Sequence, residues 1–232
     1  MTLAIFDLDG TLYTGHIGRG IADHHQIHRT NRLLLYLYLS THYPLWVLQK
    51  LGLVPDAIGR ALWSRDMGWL FRGWTTSEAD NASRWIAQNY VLPRLRPNVM
   101  ARLKTHQQSG ARVLLLSGTP KPLLAAIGHE LGVDEVVGTP LITRNGRYTG
   151  GSERPTCQGK NKVVRLEQHL GYGETINWSS SWAYADSYSD LPVLEHVGHP
   201  VAVYPDSELA TYAKDHGWEI MAGRLSRGNR KW

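Results

Sequence analysis

One stretch constrains this chain more than any other: Leu3-Ala4-Ile5-Phe6-Asp7-Leu8-Asp9-Gly10-Thr11-Leu12, an apolar run that stops on two carboxylates and a glycine. A short apolar run bounded by Gly reads as a buried strand of a covered parallel sheet rather than a helix. Open parallel sheets bind ligands beyond the carboxyl ends of their strands, which puts Asp7 and Asp9 at the mouth of a site. Residues two apart on an extended chain share a side, so the two carboxylates can converge as the chain turns at Gly10. Such a pair is costly unless a cation or a shared proton offsets it, and a hard divalent ion with oxygen ligands, magnesium above all, is the expected partner. Taken alone, the fragment is equally well explained by a solvated Asx turn.

The rest of the chain decides between them. From about Thr14 to Leu92 no strand pattern occurs. Ile21 to Ser40 and Leu45 to Leu53 are densely apolar, with breaks at Pro44 and Pro55, and Ser77-Glu78-Ala79-Asp80 reads as a helix start. After this helical insertion the pattern alternates. Helices are expected at Pro97–Ser109, Pro120–Leu131, Lys160–Leu170, Asp190–His196 and Ser207–His216. Strands are expected at Ala111–Ser117, Glu135–Val137, Trp182–Ala185 and Val201–Val203, with a hairpin of 141–144 and 147–149 turning at Asn145-Gly146. The expected fold is α/β, a doubly wound, mainly parallel, Rossmann-like sheet. Residues 1–13 and 93–232 would form its core and residues 14–92 an inserted helical cap.

Three further polar features fall at strand ends or helix starts. Ser117-Gly118-Thr119 follows the second strand, where a hydroxyl and free N–H groups make an anion pocket or simply an N-cap. Lys160-Asn161-Lys162 opens a helix, a position unfavourable for a cation unless an anion meets it; a surface charge is the plainer alternative. Asp186 and Asp190 flank the turn after Trp182–Ala185 as candidate metal ligands, although Asp190 can also cap the following helix. In order, acid pair, hydroxyl, lysine and acid pair describe a site for a dianionic phosphoryl group with magnesium.

This series resembles the four motifs of the haloacid dehalogenase-like superfamily, along nearly the whole chain. It is most similar to the phosphoserine-phosphatase-like branch (subfamily IB), which inserts its helical cap after the first motif. The resemblance implies a magnesium-dependent phosphomonoesterase that works through an aspartyl-phosphate on a small organic phosphate. It makes Asp7 the nucleophile and Asp9 the group that protonates the leaving alcohol and then takes a proton from water. Thr11 would fix the loop, and Ser117 with the amides near Gly118 would hold phosphoryl oxygens. Lys162, or Lys160 in its place, would neutralise phosphoryl charge. Asp186 would ligate Mg2+ with Asp7 and the Asp9 carbonyl, and Asp190 would orient these groups. Where those phosphatases have a Glu after the first motif, Gly15-His16-Ile17-Gly18 has no acid, so the likeness does not carry phosphoserine with it. Ala185 and Ser189 likewise stand where Gly and Asn are usual. Transfer of the phosphoryl group to another acceptor would use the same residues.

Composition fills in the surroundings. A formal charge of +5 over 232 residues is modest, and Arg224, Arg227, Arg230 and Lys231 sit in a tail that reads as a solvated end, so no nucleic-acid partner is expected. The lone Cys157 reads as an inert thiol in a reducing compartment. With no secretory signal pattern at the N-terminus, a cytoplasmic protein is expected. The cap is aromatic and basic: Trp46, Trp63, Trp69, Phe71 and Trp74 with Arg60, Arg65 and Arg72. Leu33 to Gln49 has no Asp, Glu, Lys or Arg; it is short of the about twenty apolar residues of a membrane span. It reads as a helical pair packed on itself, or else as a membrane-surface face serving a lipid phosphate. His24 and His28, a helical turn apart, suit either zinc or a polar cap surface.

Overall fold

The computed structural model describes residues 1–171 and 175–222, which leaves the basic tail from Arg224 onwards outside the described residues. Six strands form one sheet in the order β3-β2-β1-β6-β7-β8, and every neighbouring pair is parallel. They are β1 (Leu3–Phe6), β2 (Arg112–Pro120), β3 (Glu135–Thr139), β6 (Trp182–Ala185), β7 (His199–Val203) and β8 (Glu219–Met221). A separate antiparallel hairpin joins β4 (Leu141–Arg144) to β5 (Arg147–Ser152). Asn145 and Gly146 both take positive φ at its turn, as a two-residue hairpin requires.

β1 sits mid-sheet, and all four of its residues are buried. Ala4 and Phe6 face one side, where Phe6 stacks on Tyr184 with centroids 4.3 Å apart. Leu3 and Ile5 face the other with Leu114, Leu116 and Ala183. Helices cover both sides. α5 (Pro97–Gln108) and α6 (Lys121–Leu131) bring Val99, Leu103, Leu123 and Ile127 to the Phe6 side. α7 (Asn161–Leu170), α8 (Leu191–Leu194) and α9 (Ser207–Asp215) bring Leu166, Leu194 and Leu209 to the Ile5 side. This is the expected doubly wound α/β fold. β8, with three residues of mixed character, carried no sequence signal.

The insertion between β1 and α5 is helical among the described residues: α1 (Ile17–Ile27), α2 (Arg32–Lys50), α3 (Asp56–Asp66), a 3-10 turn at Met67–Phe71 and α4 (Thr76–Ile86). The chain enters and leaves it side by side, with Thr14 N–H donating to Arg94 O (2.9 Å) and Arg96 N–H to Leu12 O (2.8 Å). α4 starts on a complete capping box, Thr75 with Glu78. The expected break at Pro44 does not occur. α2 runs through it, because Pro44 is exposed while the opposite face is held by buried Leu35, Tyr38 and His42. The chain breaks earlier instead, where Arg29 and Asn31 adopt positive φ. The helix expected over Asp190–His196 is shorter, a 3-10 turn at Tyr188–Asp190 followed by α8.

Candidate active site

Asp7 leaves the end of β1 buried, its backbone N–H still donating to Tyr184 O (2.9 Å). Its Oδ1 accepts from Lys162 Nζ at 2.6 Å and its Oδ2 from Thr11 Oγ1 at 3.1 Å. Lys162 lies on the buried stripe of α7 with Leu166 and Leu170, four and eight residues on. Its second partner is Asp190 Oδ1 at 2.9 Å. Burial alone would drive that ammonium to lose its proton, but the two carboxylates hold its pKa above the ordinary lysine value. Asp190 has no capping bond to α8, so its carboxylate serves the lysine. Lys160 is exposed at the helix start.

Asp186 joins this group from the end of β6. It packs against Gly10, where a Cβ would fall 2.0 Å from Asp186 Oδ2, and Gly10 itself has φ +78°. Oxygens of Asp7, Asp186 and Asp190 all lie within 4.8 Å of one another. One ammonium thus faces three carboxylates. Burial, then the charges of Asp7 and Asp190, push the Asp186 carboxyl up to about 8. Burial likewise pushes Asp190 to about 6 despite Lys162. Excess negative charge on clustered oxygens suits a hard divalent cation, so the residues present fit a metal of that kind.

Asp9 turns the other way. Its carboxylate accepts from Tyr13 Oη (2.6 Å) and from the Ile17 N–H at the start of α1 (3.1 Å to each oxygen). His16 provides no side-chain cap there, so Asp9 supplies the anion that a helix N-terminus favours. Burial outweighs these donors and raises its pKa to about 6.

Between Leu116 and Pro120 the register of β2 on β3 shifts, which lifts Ser117-Gly118-Thr119 out of the ladder. Ser117 Oγ neither caps α6 nor bonds the acidic group. It accepts from Thr119 N–H (3.2 Å) and pairs with Thr119 Oγ1 (3.0 Å). Gly118 O accepts from Thr139 Oγ1 (2.9 Å) and from Ser64 Oγ of α3 (3.0 Å), which ties the insertion to this turn. A Cβ on Gly118 would meet Gln158 Oε1 at 2.4 Å. Arg60, one turn before Ser64, has a buried Nε without a hydrogen-bond partner, and its charge acts on Asp190. Sequence reasoning missed Tyr13, Ser64, Thr139 and Gln158 here. Tyr13 alone had a signal, its place two residues after Thr11.

Other candidates resolve simply. Cys157 is buried, its thiol pushed up to about 12 by burial, and it is inert. His24 and His28 stack at 4.6 Å, but among the described residues the three acids are the one group of three metal-capable side chains. The expected polar surface holds for His28, which is exposed, but not for His24, which is buried against Trp74 and Trp85, where burial lowers its pKa to about 4. No described helix is long and apolar enough to cross a membrane.

A parallel sheet with acids at adjacent strand ends, a lysine from a covering helix and a helical insertion after the first strand define a Rossmann-like α/β enzyme. Residues 4–195 match the family model for haloacid dehalogenase-like hydrolases. The chain belongs to that family. It is 30% identical over 231 residues to a histidinol-phosphatase of Neisseria meningitidis serogroup C (strain 8013), covering 94% of this chain and 97% of the relative. It is 31% identical to phosphoserine phosphatase SerB1 of Mycobacterium tuberculosis (strain ATCC 25618 / H37Rv), covering 97% and 71%. Among solved structures, a protein of unknown function from Bordetella pertussis Tohama I superposes with a TM-score of 0.81 at 26% identity, over 96% of this chain and 99% of the other. A substrate-bound phosphoserine phosphatase shares the fold at 16% identity, with a TM-score of 0.62 over 96% and 93%.

Proposed function

We propose that this hydrolase is a magnesium-dependent phosphomonoesterase that acts through an aspartyl-phosphate on a small organic phosphate. The observation that carries this reading is the buried Lys162 shared by Asp7 and Asp190 beside Asp186. The phosphatase names of the relatives support the reaction class.

Asp7 attacks phosphorus through a carboxylate oxygen, the bond from phosphorus to the ester oxygen breaks, and Asp9 gives that oxygen its proton. A carboxyl held near 6 carries the proton for this step at mildly acidic to neutral pH and can take one back from water. Water then attacks phosphorus, Asp9 accepts its proton, and Asp7 and inorganic phosphate are released. Lys162 holds positive charge beside Asp7 throughout, and Thr11 fixes the second Asp7 oxygen. Asp7, Asp186 and the Asp9 carbonyl would hold Mg2+, whose charge would offset the acids and the phosphoryl oxygens; Asp190 keeps Lys162 in place. The turn at Ser117 and Gly118 would receive phosphoryl oxygens. Residues 14–92 serve as the cap, and Arg60 is a cap cation whose charge acts on Asp190.

Phosphate release should be followed with phosphoserine, histidinol phosphate, sugar phosphates, nucleotides and lysophosphatidate, with Asp7→Asn as control. Magnesium-dependent release lost in the variant is expected. Release unchanged by Asp7→Asn would sink the mechanism, and none from any compound would sink hydrolysis.

A further inference from the structure

α2 has two unlike faces. Its inner face is anchored: Tyr38 Oη donates to Trp63 O (3.1 Å), and His42 Nε2 lies 3.2 Å from Asp66 Oδ2, both buried. Its outer face is apolar and open to water, with Leu33 at 72%, Tyr43 at 62% and Trp46 at 44% exposure, and with exposed Tyr36, Leu37 and Leu39 between them. Exposed Leu51, Leu53 and Ile58 extend the patch past the helix end. A contiguous patch of this kind marks a surface that something covers.

Charge says what covers it. No Asp or Glu occurs between Asp23 and Asp56, while Arg29 and Arg32 stand at one end of the helix and Lys50 at the other. Tyr43 and Trp46 stack at 5.6 Å, and Lys50 Nζ lies 5.9 Å over the Trp46 ring. A two-fold pairing of this face with a second copy would bring Arg32 near the partner's Lys50 with no acid to answer either. An anionic lipid surface supplies the missing charge, and tyrosine and tryptophan flanked by Lys and Arg favour the lipid–water boundary.

We propose that the chain docks on anionic bilayers through the outer face of α2, the helix lying in the membrane plane. Tyr36, Tyr43 and Trp46 sit at headgroup level, and Arg29, Arg32 and Lys50 meet lipid phosphates.

Flotation of the full chain with vesicles tests this. Binding to phosphatidylcholine vesicles containing phosphatidylglycerol is expected, falling about tenfold with phosphatidylcholine alone or in high salt. The double variant Tyr43→Glu/Trp46→Glu, at exposed positions, should keep the thermal midpoint and lose about tenfold of the bound fraction. Lipids brominated on the acyl chain should quench tryptophan fluorescence, and Trp46→Phe should remove most of that quenching. No flotation of the folded chain with anionic vesicles would overturn the proposal. So would equal binding by the double variant, or a dimer in sedimentation that Trp46→Glu dissociates, which would give the face to a second copy.

Discussion

The ammonium of Lys162 lies 2.6 Å from the carboxylate of Asp7, and both side chains are out of water. Removing one partner of such a pair leaves an uncompensated buried charge, which costs about 3–5 kcal/mol. Lys162→Met should therefore unfold at lower urea concentration at neutral pH and lose phosphate release at least a hundredfold, on the order of one lost electrostatic stabiliser. Stability should recover in acid, where the Asp190 carboxyl, raised to about 6 by burial, is neutral. Urea titrations at pH 7 and pH 4 check it, and equal deficits at both would contradict the pairing.

Asp9 gives a second expectation. Burial raises its folded pKa from 3.8 to about 6. A raised carboxyl stabilises the fold below its unfolded pKa, and that contribution is lost as pH rises through the folded value. Without metal, Asp9→Asn should thus match the parent near pH 4, gain in relative stability between about pH 4 and pH 6, and hold that gain at higher pH. Thermal midpoints of both proteins across that range, with chelator present, decide it.

The charge excess at Asp186 predicts linked metal and proton binding. Its carboxyl is pushed up to about 8, so a cation must displace a proton below that pH. The rise in thermal midpoint on adding Mg2+ should grow from pH 6 to pH 8 and vanish in Asp186→Asn. Gly10→Ala should imitate that loss, because its Cβ would fall on Asp186 Oδ2 and its φ of +78° disfavours a side chain. A full magnesium shift in Gly10→Ala would count against Asp186 as a ligand.

At the Ser117 turn, Gly118→Ala would press on Gln158 and Ser64 with little cost to the core. Substrate KM is expected to rise several-fold with the urea midpoint nearly unchanged. Ser64→Ala should leave the fold intact and change KM more than kcat, since it removes a bond between the insertion and the turn. Both are checked by steady-state kinetics beside unfolding curves.

The sheet was legible because buried parallel strands are written as apolar runs, and Leu3–Phe6 and Ala111–Ser117 needed nothing else. The preference for Lys162 over Lys160 rests on the resemblance of Lys162–Leu166 to a lysine-led helix start, and in the structure Lys162 falls four and eight residues before Leu166 and Leu170 on the stripe α7 buries. Asp9 shows where reading stops. Its motif says that an acid sits there, but its turn towards Tyr13 and α1 depends on how the insertion leaves the strand. Pro44 misled for a related reason: its missing N–H matters less on an outward face than the packing of Tyr38 and His42 opposite. Ser64 and Thr139 reach Gly118 from distant elements, and neither carries a local pattern.

The hairpin, separate from the main sheet, is fastened to the insertion. Gly73 N–H donates to Tyr148 O (2.9 Å), Tyr148 N–H to Trp74 O (2.8 Å), and Ser152 Oγ to Arg65 O (2.8 Å). The insertion is thus held along three seams: the bridge of Tyr13 to Leu95, this edge of β5, and the packing of α4 on α6, beside which Gln88 Nε2 donates to Glu130 Oε1 (2.8 Å). A panel fastened along three edges resists swinging as one leaf, so Ser64 stays over Gly118 unless one of these seams opens.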